Sequence, residues 1–92
     1  MQDDRFEWDD AKANANLKKH KISFEDARRA FDDRNGVQSL DGREDYGEDR
    51  LNLTAFVDML LVTVTFVERE GRFRIVSARK ASRNEQNDYF GA

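Results

Sequence analysis

Residues 59–67, MLLVTVTFV, constrain this chain more than any other stretch. The run is rich in β-branched side chains and almost uninterrupted in its apolar character, which is the pattern of a central strand covered on both faces rather than a half-exposed one. A sheet must therefore be built around it, and the rest of the chain has to supply the neighbouring strands. On one side, Leu51, Leu53, Ala55 and Val57 alternate with Arg50, Asn52 and Thr54, giving a strand with one apolar and one polar face before a turn at Asp58. On the other, Glu68-Arg69-Glu70-Gly71 turns the chain into a strand over residues 72–79, with Phe73, Ile75 and Ser77 expected on one face and Arg74, Val76 and Ala78 on the other.

Helices flank this core. Phe6-Glu7-Trp8 reads as a short strand, and Asp9 can cap a helix over residues 10–20 whose last turn carries Lys18, Lys19 and His20, where positive charge suits the helix dipole. Ser23 caps a second helix with Phe24, Ala27 and Phe31 on one face, expected to stop near Asp32, where Asp-Asp-Arg-Asn-Gly supplies turn chemistry and Gly36 is free to take a positive φ. A short strand over residues 37–40 and a polar, mobile loop over residues 41–49 follow. Ser82-Arg83-Asn84-Glu85 matches a capping box and starts a final helix over residues 83–89. The expected fold is α+β, a small antiparallel sheet with helices packed on one face, in the order β-α-α-β-β-β-β-α, forming one domain over residues 1–92.

Composition narrows the function. The chain has no cysteine and a single histidine, which removes a disulfide framework and leaves too few soft ligands for a tight transition-metal site, so neither metal nor cofactor is expected. No apolar run reaches the roughly 20 residues that span a bilayer, the N-terminus lacks a signal-like stretch, and a cytoplasmic location without membrane contact is the expectation. Nineteen acidic against 16 basic residues give a formal net charge of -3, yet Arg74, Arg79, Lys80 and Arg83 gather where the last strand meets the last helix. The first turn of a helix already attracts anions, and a basic corner on an acidic body localises a polyanion at one place, so phosphate is the natural guest. Two readings stand side by side: an anion site, or exposed charges paired with Glu85 and the acidic loop. His20 is open between a dipole-favoured helix end and a general acid or base. Trp8 is read as core rather than as a stacking platform, Tyr89 as either, and Ser77 as a minor hydrogen-bond donor without a triad.

Read together, Phe6-Glu7-Trp8-Asp9, Lys12, Asn16, Lys19-His20, the block ISFEDA over residues 22–27, Phe31-Asp32-Asp33, Asp49-Arg50 and the block RIVSARKAS over residues 74–82 resemble the BrnT toxins of bacterial type II toxin–antitoxin systems, over nearly the whole chain. That resemblance implies a RelE-like ribonuclease toxin that blocks translation, is neutralised by a BrnA-like antitoxin carrying a ribbon-helix-helix part, and meets DNA only through the antitoxin complex. Two positions depart from the family pattern: Lys21 stands where Gly is common after the histidine, which asks a non-Gly residue to take a positive φ, and Arg34 stands where Pro is common. The expected catalytic set is Arg79 and Arg83 on the phosphate, with Arg50 in support and His20 for proton transfer. Lys80, Arg74, Ser77 and Tyr89 are expected to bind the RNA. The alternative is a non-catalytic RNA-binding or protein-interaction module, such as a decayed toxin.

Overall fold

A computed structural model describes residues 1–41 and 49–91. The elements are β1 (Phe6–Glu7), α1 (Asp10–His20), α2 (Phe24–Ala27) running into a 3-10 turn (Arg28–Asp32), β2 (Val37–Leu40), β3 (Leu51–Val57), β4 (Leu60–Arg69), β5 (Arg72–Lys80) and α3 (Arg83–Phe90). Class and element order are those expected, and the expected loop over residues 41–49 falls largely outside the described residues. The strands form one sheet in the order β1-β5-β4-β3-β2, with β4 in the middle. Val62, Thr63, Val64, Thr65 and Phe66 are all 2 % exposed or less, so the apolar run is covered on both faces as its composition demands.

The sheet departs from the antiparallel expectation at β1, which pairs parallel with β5 through Phe6↔Phe73 and Glu7↔Arg74. The remaining pairs are antiparallel. No hairpin ties β1 to β5; the intervening chain is long enough to reach the sheet in either direction, and only hairpin-joined strands are forced to alternate. Because β1 stops at Glu7, β5 has no strand partner on that side beyond Arg74. Asn16 of α1 takes over there, its amide donating to Ala78 O (2.9 Å) and Ile22 O (3.0 Å) and accepting from Ala78 N (3.1 Å). A buried side chain thus stands in for one residue of a missing strand.

A bulge lies in β5. Thr65 pairs with Ser77 and Phe66 with Ile75, which leaves Val76 as an extra residue. The expected alternation fails at that point. Phe73, Ile75 and Ala78 share a row with Phe66 and Val64, in the apolar core, while Arg74, Ser77 and Arg79 share a row with Val67, Thr65 and Thr63.

The expectation that all helices lie on one face is corrected by α3. The apolar face of the sheet carries Leu53, Ala55, Val57, Val62, Val64, Phe66, Ile75 and Ala78 against Trp8, Ile22, Phe24, Ala27 and Ala30 of the α1–α2 side. Trp8 is core, packed edge-on against Phe24. By contrast α3 reaches the opposite row of side chains: Tyr89 and Phe90 pack on Phe56, and Glu85 bonds Thr63. The chain leaves β5 through the Ala81 and Ser82 link on that polar side, and an amphipathic stripe is not required of a helix so exposed; α3 has no buried residue. Its far end is pinned where Tyr89 Oη donates to Asp33 Oδ2 (2.7 Å), the same oxygen that accepts Phe56 N (2.9 Å).

Two local expectations resolve differently. Lys21 takes φ 63°, a left-handed C-cap whose N–H bonds Leu17 O, as its departure from Gly implies. Gly36 keeps a negative φ; glycine fits there because an added Cβ would meet Leu53 Cδ1 at 2.9 Å. Among the described residues no helix is long and apolar enough to cross a membrane.

Candidate functional site

The polar face of the sheet is where chemistry-bearing side chains converge. From β5 come Arg74, Ser77 and Arg79; from β4, Thr63 and Thr65; from β3, Asn52 and Thr54. The five steps from Arg74 to Arg79 would put them on opposite faces of a regular strand, and the extra residue Val76 brings them to the same one. Beneath them runs a line of buried hydroxyls. Thr54 Oγ1 and Thr63 Oγ1 are 2.9 Å apart, Thr63 Oγ1 donates to Glu85 Oε1 (2.9 Å), and Thr65 Oγ1 donates to Asn52 Oδ1 (2.7 Å).

Arg79 is held by more hydrogen bonds than Arg74. Its Nη1 and Nη2 donate to the two carboxylate oxygens of Glu85 at 2.7 and 2.9 Å, and Nη1 also reaches Lys80 O at 3.3 Å. The Nε–H and the second Nη2 hydrogen bond no described residue. These hydrogen bonds from Arg79 hold the Glu85 carboxylate down at about 2 against the opposing effect of burial, with help from Ser82 N and Thr63. Glu85 in turn raises the Arg79 guanidinium above its ordinary value, opposed by burial and reinforced by the charge of Asp41. At the other end of the row, Arg74 Nη1 donates to Glu7 Oε2 at 2.8 Å, and Glu7 is buried.

The expected residues divide accordingly. Arg74, Ser77 and Arg79 are together on the polar face. Arg50 precedes β3 by one residue, so alternation carries its side chain toward the same face as Asn52. Lys80 and Arg83 are exposed at the corner where β5 meets α3, and their side chains make no hydrogen bond or ion pair among the described residues. Lys80 shares its row with Val62 and so leaves the sheet on the side opposite Arg79. His20 ends α1 on the helix-covered side; Lys21 lines a cleft with Val57, Leu60 and Val62, so His20 stands at the same end of the sheet as Arg79, but no hydrogen bond joins the two. Tyr89 is engaged with Asp33, whose carboxylate raises the phenol above its ordinary value.

In the sequence Glu85 reads as a cap and a surface partner, and neither Glu7 nor Thr63 stands out. Glu85 does close the capping box, yet the same Oε1 that accepts Ser82 N (2.8 Å) also accepts Thr63 and Arg79. The signal available was its place six residues after Arg79 across a tight link. Thr63 and Thr65 looked like strand formers within an apolar run, and their hydroxyls gain meaning only once β3 and α3 are beside them.

Among the described residues no three of His, Cys, Asp and Glu cluster as metal ligands. Residues 8–85 match the family model described as the ribonuclease toxin, BrnT, of type II toxin–antitoxin systems. A comparison with curated proteins gives no match.

Proposed function

The chain belongs to the BrnT family of ribonuclease toxins of type II toxin–antitoxin systems, and on that premise we propose that it cleaves RNA, without a metal ion, on the polar face of its sheet. The observation carrying this reading is the co-facial set of Arg74, Ser77 and Arg79, with one edge of the Arg79 guanidinium bonded by none of the described residues. In the reaction the ribose 2′-oxygen attacks its own 3′-phosphorus, its proton passes to a base, and the 5′-oxygen leaves with a proton from an acid. The products are a 2′,3′-cyclic phosphate and a 5′-hydroxyl. Charge accumulates on the equatorial phosphorane oxygens, and a guanidinium offers them fixed donors and a permanent charge.

Arg79 is assigned to that charge, with Arg83 reaching the same phosphate from the first turn of α3 and Arg50 in support. Arg74 and Ser77 bind the adjoining backbone, Lys80 attracts the strand from the rim, and Tyr89 borders the RNA where α3 ends. His20 exchanges the proton around the β5 edge. The partner in this reading is a BrnA-like antitoxin whose ribbon-helix-helix part takes the complex to DNA, the fold shares the RelE-like plan, and the toxin acts in the cytoplasm, where its RNA is.

The competing reading is a module that binds RNA without cutting it. It draws on the pairing of both Arg74 and Arg79 with glutamates, since a neutralised arginine holds phosphate more weakly. One experiment separates them: purified protein and its Arg79→Ala variant are incubated with RNA and a DNA oligomer of the same sequence in EDTA. RNA cut by the parent alone, with DNA intact for lack of a 2′-hydroxyl, is the expected result. RNA bound but uncut would leave the binding module, and cleavage that needs Mg²⁺ would overturn the metal-free mechanism. A His20→Ala variant run across pH locates the proton transfer; an unchanged pH profile removes His20 from the site.

A further inference from the structure

Glu85 is held more firmly than a surface partner requires. Its Oε1 accepts from Ser82 N at 2.8 Å, Thr63 Oγ1 at 2.9 Å and Arg79 Nη1 at 2.7 Å, and its Oε2 accepts from Arg79 Nη2 at 2.9 Å. Three elements, the α3 cap, β4 and β5, thus fix one carboxylate. That carboxylate fixes Arg79 in turn, because a two-point contact between planar groups sets both the direction and the tilt of the guanidinium. A guanidinium has five N–H donors. Glu85 takes one from each terminal nitrogen and Lys80 O takes a second from Nη1, at 3.3 Å. The two that bond no described residue, Nε–H and one hydrogen on Nη2, lie side by side along one edge, which is the spacing of two phosphate oxygens.

We propose that Glu85 is a positioning residue: it grips the Nη1–Nη2 edge of Arg79 so that the Nε–Nη2 edge is presented, already oriented, to a phosphodiester of the RNA. This rests on the proposed ribonuclease reading for the identity of the phosphodiester. A freely rotating arginine loses side-chain entropy when it binds, whereas a pre-oriented one has already lost it on folding. Glu85 is not the proton acceptor: its Oε1 already accepts three donors and its Oε2 one, and the carboxylate, held at about 2, is a feeble base at neutral pH. Nor is it only a helix cap: a cap needs Ser82 N, and the bonds to Thr63 and Arg79 add nothing to it.

The test uses Glu85→Gln, which keeps a side chain able to close the capping box but withdraws the charge and one acceptor from Arg79. The Arg79 Nε–H resonance is assigned by its loss in Arg79→Lys and followed by nitrogen-edited NMR as inorganic phosphate is added. The expected result is a sharp parent signal that moves with phosphate, and a Glu85→Gln signal that is broadened and needs more phosphate to move. With RNA as substrate, kcat should fall about 10- to 100-fold while KM changes little, the pattern of lost alignment. If Glu85→Gln does not fold, Thr63→Val replaces it, since it removes one of the carboxylate's anchors and should change both readouts in the same directions. A parent Nε–H that ignores phosphate, or a Glu85→Gln protein that binds phosphate more tightly or turns over as fast, overturns the proposal; the last two would make Glu85 a competitor for Arg79. If the parent leaves RNA intact yet the phosphate response depends on Glu85, the ribonuclease reading fails and the positioning role stands.

Discussion

Replacing Asn16 with Leu should remove about a third of the stability of this domain. The amide makes three buried hydrogen bonds, to Ala78 O, Ile22 O and from Ala78 N, at the margin of β5 that β1 leaves uncovered. Leucine has the same branching and is the larger side chain, so water has no room to replace the amide, and each stranded backbone group costs about 1–3 kcal/mol. Three such groups at about 1.5 kcal/mol, offset by about 1.5 kcal/mol for burying a larger apolar surface, leave a net loss of about 3 kcal/mol. Small domains are stable by about 0.05–0.15 kcal/mol per residue, and each kcal/mol moves Tm by about 4–8 °C, so a fall of about 12–24 °C follows. Urea unfolding read by the fluorescence of buried Trp8 measures it, with a lower midpoint at an unchanged slope. Asn16→Ala, which admits a water, should cost less than Asn16→Leu despite the larger loss of volume. A cost under about 1 kcal/mol for Leu, or the reverse order, would refute the view that Asn16 substitutes for a strand.

Three further outcomes are expected. Glu85 has its folded-state value depressed by Arg79 from 4.5 to about 2, so the stability it contributes is present above pH 4.5 and is lost as pH falls toward 2. For a pair so near solvent this part is about 1 kcal/mol, and the stability gap between the parent and Glu85→Gln should narrow across that window; a gap constant with pH would count against the pairing. The phenol of Tyr89 should ionise above its ordinary value and move down in Asp33→Asn, by ultraviolet difference titration; no movement would mean that Asp33 does not hold α3. Deleting Val76 should leave a folded protein, destabilised by about 1–3 kcal/mol, that still cuts RNA, because it removes only the unpaired residue of the bulge. An unfolded or inactive deletion would show that the bulge itself is needed.

Local rules carried the reading of the chain a long way. Asp9, Ser23 and Ser82 cap the three helices as their side chains allow, Lys21 adopts the left-handed turn, and the apolar run at residues 59–67 lies at the centre of the sheet. Each of these depends on contacts within a few residues or on burial averaged over a run. Placement across the sheet was not legible. One additional residue in β5 is silent in a strand where Val76, Ser77 and Ala78 each tolerate either face, and only the pairing with Thr65 and Phe66 fixes which residue is left over. The side taken by α3 was hidden for a similar reason: Glu85 and Tyr89 decide it, through Thr63 and Asp33, at separations of 22 and 56 residues. The candidate site is legible in the sequence as a set of cations but not as an arrangement, because Glu7 and Glu85 set the geometry of Arg74 and Arg79.

Strands count in twos, and β5 breaks the count once. Cut out and laid beside a regular neighbour, the same nine residues of β5 would turn Arg74 and Arg79 away from each other, toward opposite surfaces of a sheet. That the two arginines look the same way is therefore a property of β4 and β5 jointly, which neither strand carries alone. Transplanting the segment RIVSAR onto another scaffold would move its charges without moving the site.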